Sequence, residues 1–268
     1  MKIILSRKGF DSANGGIVSP IFEDGTMVSF PIPSDDADTY NSLYYNGIQY
    51  SKILRDLRYK GGDHCHLDPD LDLGRRRERI DGWFPAFGQR NAAAAYLKNI
   101  GVAQGDIFLF FGNFHFVEYQ NGTYRYLRDR SDFYRGKDLQ VIWGYLQVGE
   151  IISVPEEQRK VWWHPHSSNG RADNSTNVIF KAAERLSLDK SKPGAGALRF
   201  DKKRVLTLKG ATKATWARNE VYDETHIYGK RSNCAKNPDR GLYYAGIWQE
   251  LGLKESDACT EWARNILL

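Results

Sequence analysis

Two apolar stretches in the middle of the chain constrain its fold most. Ile107-Phe108-Leu109-Phe110-Phe111, entered through Gly105-Asp106 and closed by Gly112, reads as a buried strand. Leu139 to Val154 reads as a long strand or a bent pair of strands, with Gly144 and Gly149 as candidate bulges. Between them Tyr119-Gln120-Asn121-Gly122-Thr123-Tyr124 predicts a hairpin, because Asn-Gly supplies the positive φ that a two-residue turn requires. Shorter strands are predicted over Met1–Ser6, Asn177–Phe180 and Val205–Leu208. A further hairpin runs from Val18–Phe22 through Glu23-Asp24-Gly25-Thr26 into Met27–Ile32.

Helical signals lie on both sides of this strand-rich centre. Gln89 to Ile100 is the clearest, with an alanine run, Tyr96 and Leu97 on one face, and Gly101 as a stop. Residues 39–58 suit one helix or two short ones. Tyr243–Leu251 and Ser256–Leu268 read as helical, the latter capped by Ser256-Asp257. Residues 187–199, centred on Pro193-Gly194-Ala195-Gly196, read as a surface loop. The expected fold class is α+β, a mainly antiparallel sheet or small PUA-like barrel with flanking helices. It forms a single domain over 1–268, with room for a helical extension from about residue 211.

Composition narrows the setting. With 268 residues, 41% hydrophobic and 26% charged, the chain can bury a sizeable core, and disorder is excluded. No apolar run approaches the roughly 18 residues of a membrane span, and Met1-Lys2-Ile3-Ile4-Leu5 turns polar too soon for a signal peptide. Cys65, Cys234 and Cys259 are too few and too scattered for a disulfide framework. A soluble, cytoplasmic protein without a membrane partner is therefore expected. Net charge of +5 and 13% aromatic residues, many beside Arg or Lys as in Tyr124-Arg125-Tyr126, suit base stacking and phosphate pairing. The plainer alternative is core aromatics on strands beside solvated charges.

Three polar segments carry the candidate chemistry. Asp63-His64-Cys65-His66-Leu67-Asp68-Pro69-Asp70 is the densest. In extended geometry His64, His66, Asp68 and Asp70 share one face, where they suit a divalent metal or an acid–base pair. No paired-cysteine zinc spacing is present, and the alternative is a polar loop whose acids cap a following helix. The second segment is Trp162-Trp163-His164-Pro165-His166, in which proline holds the two imidazoles on a rigid segment; Trp163 beside them is a stacking candidate. The third is the loop after the first strand, Ser6-Arg7-Lys8-Gly9-Phe10-Asp11-Ser12, with Arg7 and Lys8 placed to hold an anion and Asp11 to act as acid or base. It does not match a phosphate-binding loop, so ATP use has no support.

The Gly105–Phe111 and Val141–Ile152 strands resemble part of the small PUA and EVE barrels, which read bases in RNA or modified DNA. A longer ordered series is more specific: Ser6-Arg7-Lys8-Gly9-Phe10-Asp11-Ser12, Gly15-Gly16 leading to Ser19-Pro20-Ile21, Pro31-Ile32-Pro33, His66-Leu67-Asp68-Pro69-Asp70-Leu71, Phe87-Gly88-Gln89, the Gly105–Gly112 strand and His164-Pro165-His166. To about residue 210 this series resembles the nucleotide modification associated domain family, third type. The resemblance implies a bacterial or phage protein associated with DNA base hypermodification, and points to Arg7, Asp11, His66, Asp68, Asp70, His164 and His166.

The sequence thus leads to an enzyme acting on a nucleic-acid base or nucleotide. Asp11, His66, Asp68, Asp70, His164 and His166 are its catalytic candidates; Arg7, Lys8 and Trp163 are its substrate-binding candidates. A divalent metal on His64, His66, Asp68 and Asp70 is the cofactor to test for. The alternative function is a non-catalytic reader of modified DNA or RNA with an aromatic pocket on barrel-like strands.

Overall fold

The computed structural model describes residues 1–75, 79–129, 131–223, 225–229, 241–244 and 248–268. Nine strands share one sheet: β1 (Ile3–Arg7), β2 (Ser19–Ile21), β3 (Ala86–Gln89), β4 (Ile107–Gln120), β5 (Thr123–Tyr126), β6 (Leu139–Ile152), β7 (Val178–Ala182), β8 (Ala195–Ala197) and β9 (Glu250–Leu253). The order is β9-β1-β4-β6-β7-β3, with β2 and β5 added to β4 and β8 added to β6. Most pairs are antiparallel, while β1 and β2 run parallel to β4. The helices are α1 (Tyr50–Asp56), α2 (Asn91–Asn99), α3 (Pro155–Lys160), α4 (Asn169–Ala172) and α5 (Asp257–Leu267). The fold is α+β. The strands do not close into a barrel.

The two apolar stretches form the centre. β4 and β6 pair from Leu139 opposite Phe114 to Gln147 opposite Ile107. Register shifts fall at Ile142/Gly144 and at Val148/Glu150, the glycine positions expected to bulge. The second shift lies where β6 leaves β4 and takes up β7. A Cβ on Gly149 would meet the Ala182 and Ala183 backbone at 2.7–2.8 Å, so only glycine allows that approach. β4 and β5 turn at Asn121 (φ +51°) and Gly122 (φ +79°), both left-handed as the hairpin demands.

Aromatic side chains fill the space that the sheet encloses. Phe87 of β3 lies edge-on to Phe108 of β4 at 5.0 Å, and Phe108 meets Phe180 of β7 at 4.9 Å. On the other side Trp216 stacks on Tyr244 at 4.7 Å and meets Phe111 at 5.1 Å. A second cluster gathers Phe10, Phe30, Tyr40 and Tyr50 with Ile53 and Leu54 of α1. Cys65 and Cys259 are buried free thiols, and Cys234 lies outside the described residues. Among the described residues no helix is long and apolar enough to cross a membrane.

Several local expectations are corrected, each by a partner distant in sequence. Residues 187–199 are not a loop: Asp189–Pro193 pairs with Arg185–Leu186, and β8 docks on the free edge of β6 with Ala195 opposite Leu146. The described residues of Tyr243–Leu251 do not form the expected helix, and 245–247 lie outside the described residues. Leu242–Tyr243 pairs with Thr215–Trp216, and β9 lies along β1 with Glu250 opposite Ser6. Val205–Leu208 makes only single bridges, Val141 to Val205 and Thr207 to Trp216. The hairpin expected after Val18 is present in short form: around the Gly25 turn it has one bridge, Ile21 to Met27, with the Phe22 N–H bonded to the Thr26 carbonyl and the Val28 N–H to the Pro20 carbonyl.

The final helix forms as its capping signal indicates. The Ser256 side chain accepts a hydrogen bond from the Cys259 N–H at 3.0 Å. Cys259, Ala263, Ile266 and Leu267 pack into the main core. Ser256→Ala is expected to lower stability by about 1 kcal/mol, read as a lower urea midpoint at unchanged slope.

Candidate functional site

A cavity of about 860 Å³ opens where the C-terminal end of β1, the end of β3 and the start of β9 meet. Its wall includes Arg7, Lys8, Asp11, His66, Asp68, Gln89, His166 and Glu250. The N-terminal loop, the mid-chain acidic segment and the paired imidazoles therefore converge on one space. The size suits a nucleotide-sized ligand.

Asp68 is the centre of the polar wall. Its side chain is 4% exposed. Oδ1 accepts the Gly88 N–H at 2.8 Å and lies 3.2 Å from His164 Nε2. Oδ2 lies 3.8 Å from His66 Nε2 and 3.8 Å from His166 Nε2. Burial by itself would raise the pKa of this carboxyl, but His164 beside it, with His166 and His66, holds it well below the usual carboxylate range.

The partners of the three rings set what each presents to Asp68. His166 Nδ1 meets Asn177 Oδ1 at 2.6 Å, and the Asn177 amide is oriented by donating to Gln158 Oε1 and the His166 carbonyl. His66 Nδ1 meets Asp36 Oδ2 at 2.7 Å. In both rings Nδ1 therefore carries a hydrogen, and in His166, kept neutral by burial, Nε2 offers a lone pair. Burial holds the His166 pKa down to about 3, against the pull of Asp68. His164 is the opposite tautomer: its Nδ1 accepts the His166 N–H at 3.2 Å, so its Nε2–H faces Asp68. Two imidazole nitrogens and one carboxylate oxygen thus converge, with all three atoms within 4.8 Å of one another. Such a set of donor atoms could hold a metal ion.

Asp36 supports this arrangement. It accepts from both terminal nitrogens of Arg171, whose guanidinium also reaches the Pro165 carbonyl, and so ties the His66 segment to the His164–His166 turn. Burial raises its pKa, but His66 and Arg171 together hold it far below the ordinary range. Gly88 supports it sterically. A Cβ there would lie 2.3 Å from His166 Cδ2 and 2.9 Å from His164 Cε1.

The structure divides the candidates from the sequence. His66, Asp68 and His166 line the cavity together, and His164 sits behind Asp68. His64 and Asp70 do not join them. The Asp68 N–H bonds back to the His66 carbonyl at 2.8 Å, so the segment turns where an extended strand was expected. His64 Nδ1 meets the Asp36 carbonyl, and Asp70 pairs with Arg79 at 2.5 and 3.0 Å and accepts from Trp83 Nε1. His166 takes the ligand position expected of those two.

Asp11 lines the cavity, but its Oδ1 accepts from the Ala13 and Asn14 amides to hold its turn. Arg7 lies 3.5 Å from Asp11, and Lys8 Nζ lies 3.3 Å from Glu250. Trp163 is absent from the cavity wall. Its ring packs against Phe84 at 5.0 Å in a small cluster with Val161, Ala86, Ile152 and Ile179. Asp36, Gln89, Asn177 and Glu250 escaped the sequence reading. Phe87-Gly88-Gln89 was the only signal near them, and Glu250 fell in a stretch read as helix.

Two outcomes test this geometry. Gly88→Ala should disperse the His164–Asp68–His166 contacts while leaving β3 paired, seen as loss of the site's histidine ring shifts in NMR spectra of a folded protein. Asp36 has a depressed pKa in the fold, so it stabilises above the unfolded value near 3.9 and this contribution is lost as pH falls. Asp36→Asn should cost about 1.5–3 kcal/mol at pH 7. The gap from the parent should close in unfolding titrations below about pH 4.

Residues 2–253 match the family model described as nucleotide modification associated domain 3. Comparison with curated proteins and with solved structures returns no match.

Proposed function

The chain belongs to the nucleotide modification associated domain 3 family, and from that premise we propose that it is an enzyme that modifies a nucleotide or nucleic-acid base with a divalent metal held by His66, Asp68 and His166. The observation that carries this reading is the convergence of two imidazole nitrogens and a carboxylate oxygen at the wall of a nucleotide-sized cavity. Each ring is oriented from behind, His66 by Asp36 and His166 by Asn177, as histidine ligands usually are. Two imidazoles and one carboxylate with open positions form a donor set used for iron(II) and for zinc. When bound, such an ion supplies Lewis acidity to the reacting group.

The chain's own groups have separate tasks in this reading. His164 Nε2 lies 3.2 Å from Asp68 Oδ1, which leaves Oδ2 for the ion. Arg7 and Lys8 line the same cavity, each beside a carboxylate, Asp11 and Glu250. The alternative, a non-catalytic reader of modified DNA or RNA, would give the converging His66, Asp68 and His166 donor atoms no task.

Elemental analysis of the purified full chain, before and after reconstitution with iron(II), manganese(II) or zinc(II), tests the proposal. About one equivalent of one metal is expected, lost in His166→Ala and Asp68→Ala variants that keep the parent's far-ultraviolet dichroism. A parent chain that takes up none of the three, or variants that bind metal as well as the parent, would overturn it.

A further inference from the structure

Glu250 is a buried carboxylate in the cavity wall to which the metal reading gives no task. It is 1% exposed. Its two oxygens are treated unequally. Oε1 receives three donors: Gln89 Nε2 at 2.8 Å, Ser6 Oγ at 3.0 Å and Lys8 Nζ at 3.3 Å. Oε2 has no partner among the described residues and is shielded from water. Burial pushes the Glu250 pKa up, while Lys8, Gln89 and Ser6 favour its charged form. Here the three donors hold one oxygen and leave the other buried without a partner.

We propose that Lys8 and Glu250 form the base-reading pair of this cavity. Glu250 Oε2 accepts an N–H from the edge of a nucleobase, and Lys8 Nζ donates to the acceptor beside that N–H. This rests on the nucleotide reading above and adds which part of the ligand meets which wall. A phosphate is the wrong partner at this position, because its oxygens would face the carboxylate oxygen Oε2. A base edge is the right one, because donor and acceptor adjoin on it. Lys8 is held to its place by the Phe87 ring, with Nζ 4.4 Å from the ring centre.

Strand β3 couples the two halves of the site. Gly88 donates its N–H to Asp68, and the next residue, Gln89, donates its side-chain amide to Glu250. Adjacent residues of one strand thereby set the spacing between the metal-competent cluster and the proposed base reader. Tyr96 and Trp248 line the same cavity and bring aromatic surface to it.

Calorimetric titration of the full chain tests the pair. The probes are the four 5′-mononucleotides and short single-stranded oligonucleotides, followed by the counterpart of the best binder methylated on its edge nitrogen so that no N–H remains. Methylation is expected to weaken binding by roughly tenfold to a hundredfold. Glu250→Gln, which places an amide NH2 where the acceptor stood, should weaken the parent ligand similarly and abolish the penalty of methylation, with metal content unchanged. A methylated counterpart that binds the unaltered chain as tightly as its parent overturns the base-reading pair and leaves the nucleotide reading standing. So does a folded Glu250→Gln variant with undiminished affinity. Should that variant not fold, the methylation comparison on the unaltered chain decides. If none of the probes binds, the nucleotide reading itself fails and this inference with it.

Discussion

A carboxylate taken out of water survives only where donors or cations surround it, and Asp68 is the group whose satisfaction organises this site. One of its oxygens is settled by protein, through the Gly88 amide and the His164 ring. The other faces two imidazoles whose Nδ1 atoms are bound by Asp36 and Asn177. The arrangement depends on segments far apart in the chain: 34–36, 66–68, 88, 164–166, 171 and 177. Arg171, bound to both Asp36 and the Pro165 carbonyl, is the cross-tie that keeps the first of these against the last two histidines.

The sheet makes that convergence possible. Its strand path begins at β9 and ends at β3, yet Gln89 on β3 reaches Glu250 on β9 at 2.8 Å. The sheet is curled without being closed, and the seam between its ends is bridged by side chains where a barrel would have a backbone ladder. A cavity at such a seam is lined by strand ends and the loops that leave them. These are the positions where polar groups can face a ligand without disturbing strand pairing. Gly88 illustrates the packing demand, since the imidazoles lie against its backbone and leave no room for a side chain.

Legibility in the sequence followed interaction range. The Asn121-Gly122 turn, the Gly144 and Gly149 irregularities, the alanine helix ending before Gly101 and the Ser256 cap are governed by a few neighbouring residues, and each forms where expected. Residues 187–199 and 243–251 were misread because their secondary structure is conferred by β6 and β1. Without those partners Ala195-Gly196-Ala197 has little strand character of its own. In the site, His66, Asp68 and His166 stood out as clustered ionisable groups. Asp70 and His64 stood out equally, but the chain turns after His66 and gives Asp70 to Arg79.

The sequence by itself determined the residue types available for chemistry and the local turns, caps and apolar strands, because those depend on side-chain character and on contacts a few residues long. It also carried the family, through an ordered series of short motifs. Only the tertiary structure decided which of six histidines face one another, which ring nitrogen each turns inward, and that Glu250 belongs to the same wall as Asp68. Those outcomes are set by pairing between segments as many as 244 residues apart, as between Ser6 and Glu250. No local pattern encodes a partner at that separation; it is selected by the packing of the whole sheet.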